Sequence, residues 1–154
     1  MSQNIFDSSE FPPLTRFSTY WEVLLEEAMH LDNFVFPFDR TDALYEETLT
    51  RIIATNRNGW MRGWGEAKDK WINYGLRYKD KLITDFVEDN SCPSIMALVK
   101  RLKGVNTVGL SLLKPGGYIL PHLHGDLIGT GLLSYHLGLS VPEDWHWLNV
   151  EGTF

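Results

Sequence analysis

The chain has 154 residues, 44% hydrophobic and 13% aromatic with six tryptophans, enough to bury the core of one domain and to exclude a wholly disordered chain. Its net charge is −6, and the densest basic run, Lys100, Arg101 and Lys103, reads as a solvated helix end, so a nucleic-acid partner is not expected. The lone cysteine, Cys92, excludes an intrachain disulfide. Residues 1–11 lack the apolar stretch of a signal peptide, and no apolar run is long enough to cross a bilayer; the expectation is a cytoplasmic protein without a membrane partner.

Residues 1–16 read as an irregular arm, with Pro12-Pro13 blocking a helix. A helix is predicted over 19–30: Thr19 and Glu22 have capping-box spacing, and Tyr20, Val23, Leu24 and Leu31 share a face. Residues 34–39 form a short strand or a loop. A second helix is predicted over 42–55, capped by Thr41, with Leu44, Tyr45, Thr48, Leu49, Ile52 and Ile53 as its buried stripe. Asn56, Asn58 and Gly59 supply turn chemistry. The aromatic-rich stretches 60–64 and 71–78 read as strands or extended loops. A third helix is predicted over 93–102, with Pro93 in its first turn and Ile95, Met96, Val99 and Leu102 facing inward.

From Val105 the period changes to two. Val108, Leu110 and Leu112 share one face of a strand over 105–113, and Thr107, Gly109, Ser111 and Leu113 share the other. Lys114-Pro115-Gly116-Gly117 is a turn, 118–122 a short strand and 123–130 a loop. Over 131–141, Leu133, Tyr135, Leu137, Leu139 and Val141 alternate with Leu132, Ser134, His136, Gly138 and Ser140. Pro142 ends that strand, and 145–150 reads as another. Helices followed by short antiparallel strands imply an α+β domain with a sheet sandwich or open barrel. The whole of 1–154 reads as one domain, with a helical, aromatic-rich part over 1–104 and a strand-rich part over 105–154.

The densest chemical signal is Pro121-His122-Leu123-His124-Gly125-Asp126, three potential metal ligands in five positions. Imidazole and carboxylate suit Fe(II), Zn(II) or Ni(II). On a strand, His122 and His124 point to one side, as two ligands of one metal do; read instead as His-x-Asp, His124 and Asp126 are two legs of a two-histidine-one-carboxylate triad. A polar loop with locally bonded histidines has the same sequence. His136 lies among Ser134, Gly138 and Ser140, on a face that lines a cavity or meets solvent. His146, between two tryptophans, and His30, at a helix end, read as structural, and the tryptophans read mainly as core.

The order of these residues resembles the aspartyl/asparaginyl β-hydroxylases. It runs Trp71, Cys92-Pro93, Gly109-Leu110-Ser111-Leu112-Leu113-Lys114-Pro115-Gly116, Pro121-His122, then His136-Leu137-Gly138-Leu139 with Pro142, over about residues 71–150. The resemblance implies a double-stranded β-helix (cupin-like jelly roll) with N-terminal helices, and a non-haem Fe(II) dioxygenase that uses 2-oxoglutarate to hydroxylate a C–H bond. It places His122 as the first iron ligand and Ser111 and His136 as 2-oxoglutarate contacts. His124 and Asp126 join His122 as metal-ligand candidates.

Several positions depart from the family's pattern. His124 stands where a small residue is usual, and Ser134 replaces a common Arg. The family's second iron His and its cosubstrate Arg would fall beyond Phe154, so the expectation is a C-terminally truncated chain with an incomplete sheet, which binds iron poorly unless strand exchange in a homodimer completes the site. The other readings are a non-catalytic cupin-like binding module and a Zn-dependent enzyme using His122 and His124. The substrate, peptidyl Asp/Asn or a small molecule, is left open.

Overall fold

A Pro-Pro pair opens the first helix. Helix α1 spans Pro12–Ser18 with the prolines in its first turn, where the missing N–H groups would have had no helical partner. In the expectation above, Pro12-Pro13 blocked this helix; the pair instead starts it. Helix α2 spans Trp21–Met29. Thr19 does not cap α2 as expected: it closes α1, with Oγ1 donating to the Arg16 carbonyl at 2.7 Å. Leu24 and Leu31 are buried, whereas Tyr20 and Val23 are exposed.

The computed structural model describes residues 5–39, 45–63, 65, 68–122, 130–143 and 148–149. Strand β1 is Val35–Asp39 and helix α3 is Tyr45–Thr55. Thr41, the expected cap of α3, lies outside the described residues. Ile52 is fully buried, but Ile53 is 43% exposed and leaves the predicted stripe. Asn56, at φ 51°, supplies the left-handed residue that ends α3.

Strands β2 (Trp60–Arg62), β3 (Trp71–Tyr78), β4 (Lys81–Leu82) and β5 (Val108–Leu113) complete a mixed five-stranded sheet. β1 runs parallel to β2, and the other pairings are antiparallel. β3 is the centre: β5 runs along one edge, and β2 and then β4 along the other. A two-residue turn joins β3 to β4, with Lys79 and Asp80 both at positive φ, the backbone that matches strand twist in tight hairpins. The sheet thus draws β1–β4 from before residue 105; β1, β2 and β3 fall in the stretches where strand and loop were both open, and β4 lies outside them.

Helix α4, Pro93–Arg101, buries Ile95, Met96 and Val99. These side chains join Phe36, Ile52, Trp60, Ile72, Tyr74, Leu76 and Ile83 in one hydrophobic cluster. Arg77 fixes the end of α4. Its guanidinium donates to the carbonyls of Val99 and Leu102 at 2.9 and 2.8 Å and of Val105 at 3.1 Å, satisfying acceptors that the helix C-terminus leaves open. At the other end, Glu27 of α2 accepts from the Ser94 and Ile95 amides at 2.9 and 2.8 Å. The residue in the N-cap position, Cys92, makes no side-chain cap bond. Among the described residues, no helix is long and apolar enough to cross a membrane.

Residues 118–122 and 131–141 carry no strand ladder among the described residues, unlike the prediction. The period of two survives in burial over 135–140. Tyr135, Leu137 and Leu139 are half-buried, while Ser134, His136, Gly138 and Ser140 are exposed. Leu137 and Leu139 pack on the core cluster.

Candidate functional site

Alternation along β3 separates two chemistries. Ile72 and Tyr74 point into the core cluster, so Trp71, Asn73 and Gly75 point to the opposite face. The register continues that face onto β5: Trp71 pairs with Leu113, Asn73 with Ser111 and Gly75 with Gly109. Ser111 therefore stands beside Trp71 and Asn73 on the side of the sheet away from Ile72 and Tyr74.

Trp71 organises this face. Its indole is 6% exposed, and its Nε1–H donates to Ser111 Oγ at 2.8 Å. Gly63 makes room for the ring, since a Cβ there would lie 2.4 Å from the indole. The Ser111 oxygen is occupied as an acceptor, so the hydroxyl keeps its proton for donation.

The turn after β5 brings His122 back to the same indole. The Gly117 amide donates to the Lys114 carbonyl at 2.8 Å, and Gly116 takes φ 69°. The chain then returns, and the His122 ring lies 6.5 Å, centroid to centroid, from Trp71. His122 Nδ1 is 2.8 Å from the Leu120 carbonyl. A carbonyl only accepts, so Nδ1 carries a proton and the Leu120 carbonyl fixes the orientation of the ring. Ser111 and His122, eleven positions apart, thus meet through one buried tryptophan. The sequence reading placed Trp71 only as part of a pattern; its role depends on a contact across 40 residues.

Asn73 is the second residue that sequence reasoning missed. It is half-buried, and its Nδ2 is shielded from water with no hydrogen-bond partner among the described residues. A buried unpaired donor costs about 1–3 kcal/mol, so its place opposite Ser111 is notable.

His136 sits on the exposed face of the segment whose other face packs on the core, with Nε2 3.2 Å from Ser134 Oγ. His124 and Asp126 lie outside the described residues. No cluster of three His, Cys, Asp or Glu side chains able to hold a metal occurs among the described residues.

Behind β3 lies a buried polar strut. Asn58, 6% exposed, donates through Nδ2 to the Gly75 carbonyl and to Asp89 Oδ2, both at 2.9 Å. The Tyr74 hydroxyl donates to the same Asp89 oxygen at 2.9 Å, and the Ser91 amide to Asp89 Oδ1. Burial pushes the Asp89 carboxyl up, but the hydrogen bonds from Asn58, Ser91 and Tyr74 outweigh it and hold it below 3.8. Burial first, together with the Asp89 charge, raises the Tyr74 hydroxyl. Burial and the charges of Asp89 and Glu27 push the Cys92 thiol up to about 12, so it is inert, as a small buried residue should be.

The family model for aspartyl/asparaginyl beta-hydroxylase matches residues 19–153. No curated protein and no solved structure matches the chain. The match covers helices α2 and α3, before residue 71, where the sequence alone carried no resemblance, as well as every element of the face just described. The chain belongs to the aspartyl/asparaginyl β-hydroxylase family.

Proposed function

We propose that this hydroxylase-family chain is an Fe(II)- and 2-oxoglutarate-dependent dioxygenase that hydroxylates a C–H bond of an Asp or Asn residue or of a small molecule. The observation that carries the reading is the meeting of Ser111 and His122 at the Trp71 indole, on the sheet face turned away from Ile72 and Tyr74. In this reading the sheet is the first part of a cupin-like double-stranded β-helix, and that face becomes the inside of the barrel.

Of the three candidate ligands, His122 lies among the described residues and stands beside Trp71, and an imidazole suits Fe(II). His122 offers an imidazole whose Nδ1–H is held by the Leu120 carbonyl, and His124 and Asp126 are further candidate ligands. Ser111 and His136 are the candidate cosubstrate contacts. Iron with 2-oxoglutarate supplies the oxidising chemistry; the protein binds, orients and keeps water out. The Leu120 carbonyl fixes the orientation of the His122 ring, and the Trp71 Nε1–H fixes the Ser111 hydroxyl so that its proton points away from the indole. A hydroxyl held by the indole and an imidazole held by the Leu120 carbonyl are positioned before ligand arrives, which lowers the ordering cost of binding.

The test is 2-oxoglutarate turnover with Fe(II), read as succinate formed. Iron-dependent succinate that is lost in His122→Ala supports the reading. Succinate formation that is indifferent to His122→Ala overturns it.

A further inference from the structure

We infer that Asn73 is a cosubstrate-binding residue, and that its side-chain amide and the Ser111 hydroxyl together form a two-donor seat for one carboxylate of a 2-oxo dicarboxylic acid. The inference rests on the proposed function and extends it to a residue with no assigned role.

Three observations support it. Asn73 stands opposite Ser111 in the β3–β5 register, on the face that carries Trp71. Directly opposed side chains on one face have Cβ atoms about 4.5–5.5 Å apart, close enough for two donors to reach the two oxygens of one carboxylate. Nδ2 of Asn73 is shielded from solvent and lacks an acceptor among the described residues. The Ser111 oxygen accepts from Trp71 Nε1, which turns its proton away from the indole and leaves that proton for a ligand. The pair therefore offers two donors that one acceptor group can take up. A carboxylate supplies two oxygens and gains from both bonds in a partly dry site. An unpaired buried amide is a stability cost that persists where a ligand takes up the donor.

This predicts opposite signs for stability and binding. Asn73→Leu removes the unpaired donor at similar volume, so the ligand-free protein should melt no lower than the parent and should bind more weakly. Asn73→Asp places a carboxylate against the ligand's and should weaken binding further. The probe is 2-oxoglutarate itself, titrated anaerobically by calorimetry into the Mn(II)-loaded full chain, alongside thermal melts without ligand. The parent should bind, with Asn73→Leu and Ser111→Ala each about tenfold weaker. Their double variant should be weaker than either by clearly less than the product, because both donors serve one group. Mn(II) affinity should not change in Asn73→Leu.

Asn73→Leu binding 2-oxoglutarate within twofold of the parent would overturn the inference and leave the proposed function standing. Tenfold loss with a melting temperature several degrees lower would also overturn it, since Asn73 would then be a structural residue. If the parent itself fails to bind 2-oxoglutarate, the proposed function falls and the inference with it.

Discussion

Asp89→Asn isolates the strut that holds the back of β3. Asp89 offers two oxygens: Oδ2 takes the Asn58 amide and the Tyr74 hydroxyl, and Oδ1 takes the Ser91 amide. An asparagine has one acceptor oxygen. It can keep the Asn58 and Tyr74 bonds or the Ser91 bond, and the other side then meets an N–H group that opposes it. The surviving bonds also lose their charge. A hydrogen bond to a charged group contributes about 1.5–3 kcal/mol, and with Asp89 half-buried the loss should total about 2–3 kcal/mol. Urea unfolding at pH 7 measures this directly, as a lower midpoint at unchanged slope. The pH dependence carries a definite sign. The folded-state pKa of Asp89 lies below its unfolded value of 3.8. The charge-dependent share is therefore fully present above pH 3.8 and is lost as pH falls through the lower folded value. The gap between parent and variant should stay constant from pH 7 to about 5 and narrow in acid. A variant within 0.5 kcal/mol of the parent at pH 7, a limit of about the size expected of an ordinary surface change, would refute the reasoning.

Two further perturbations test the frame around the site. Glu27→Ala removes the carboxylate that caps α4 and should cost about 1–2 kcal/mol by urea unfolding, with Glu27→Gln between it and the parent. Burial opposes the Glu27 charge, but the bonds from Ser94 and Ile95 outweigh it and lower its pKa, so this stability is present above 4.5 and is lost as pH falls through the folded value. Gly75→Ala places a Cβ 1.7 Å from the Tyr78 hydroxyl oxygen and should destabilise by about 1–3 kcal/mol, read as a lower melting temperature. Tyr78→Phe in the same chain should recover little of that loss, because the ring carbons Cζ and Cε2 would still collide with the new Cβ.

Period-two patterning sorts residues by face, and this much of the candidate site could be read in the sequence. That put Ser111 and His136 on polar faces, and the order of motifs put His122 beside Ser111. The Trp71 bond to Ser111 was not legible, because it depends on the β3–β5 register between segments 40 residues apart. Asn73 left no signal at all; an asparagine in a strand looks like a polar outward position until its partner strand is known. Local rules failed where one motif has two uses. Pro12-Pro13 suits either a helix barrier or a helix start, and α1 uses the second. Thr19 has N-cap spacing but closes the helix before it. The real cap of α4 comes from Glu27, 67 residues before Ser94, which no local capping rule could find. The half-buried alternation over 135–140 shows the opposite case, a strand pattern readable in sequence and in burial without ladder partners among the described residues.

The central claim is that His122 and Ser111 belong to one site, with the imidazole on the metal and the hydroxyl on the cosubstrate. Mn(II) binding followed by electron paramagnetic resonance, with and without 2-oxoglutarate, tests it most directly. The account predicts that His122→Ala weakens Mn(II) binding at least tenfold, and that Ser111→Ala leaves bare Mn(II) binding intact but loses the change in signal that 2-oxoglutarate produces in the parent. Unchanged Mn(II) affinity in His122→Ala, or an undiminished 2-oxoglutarate response in Ser111→Ala, would contradict it.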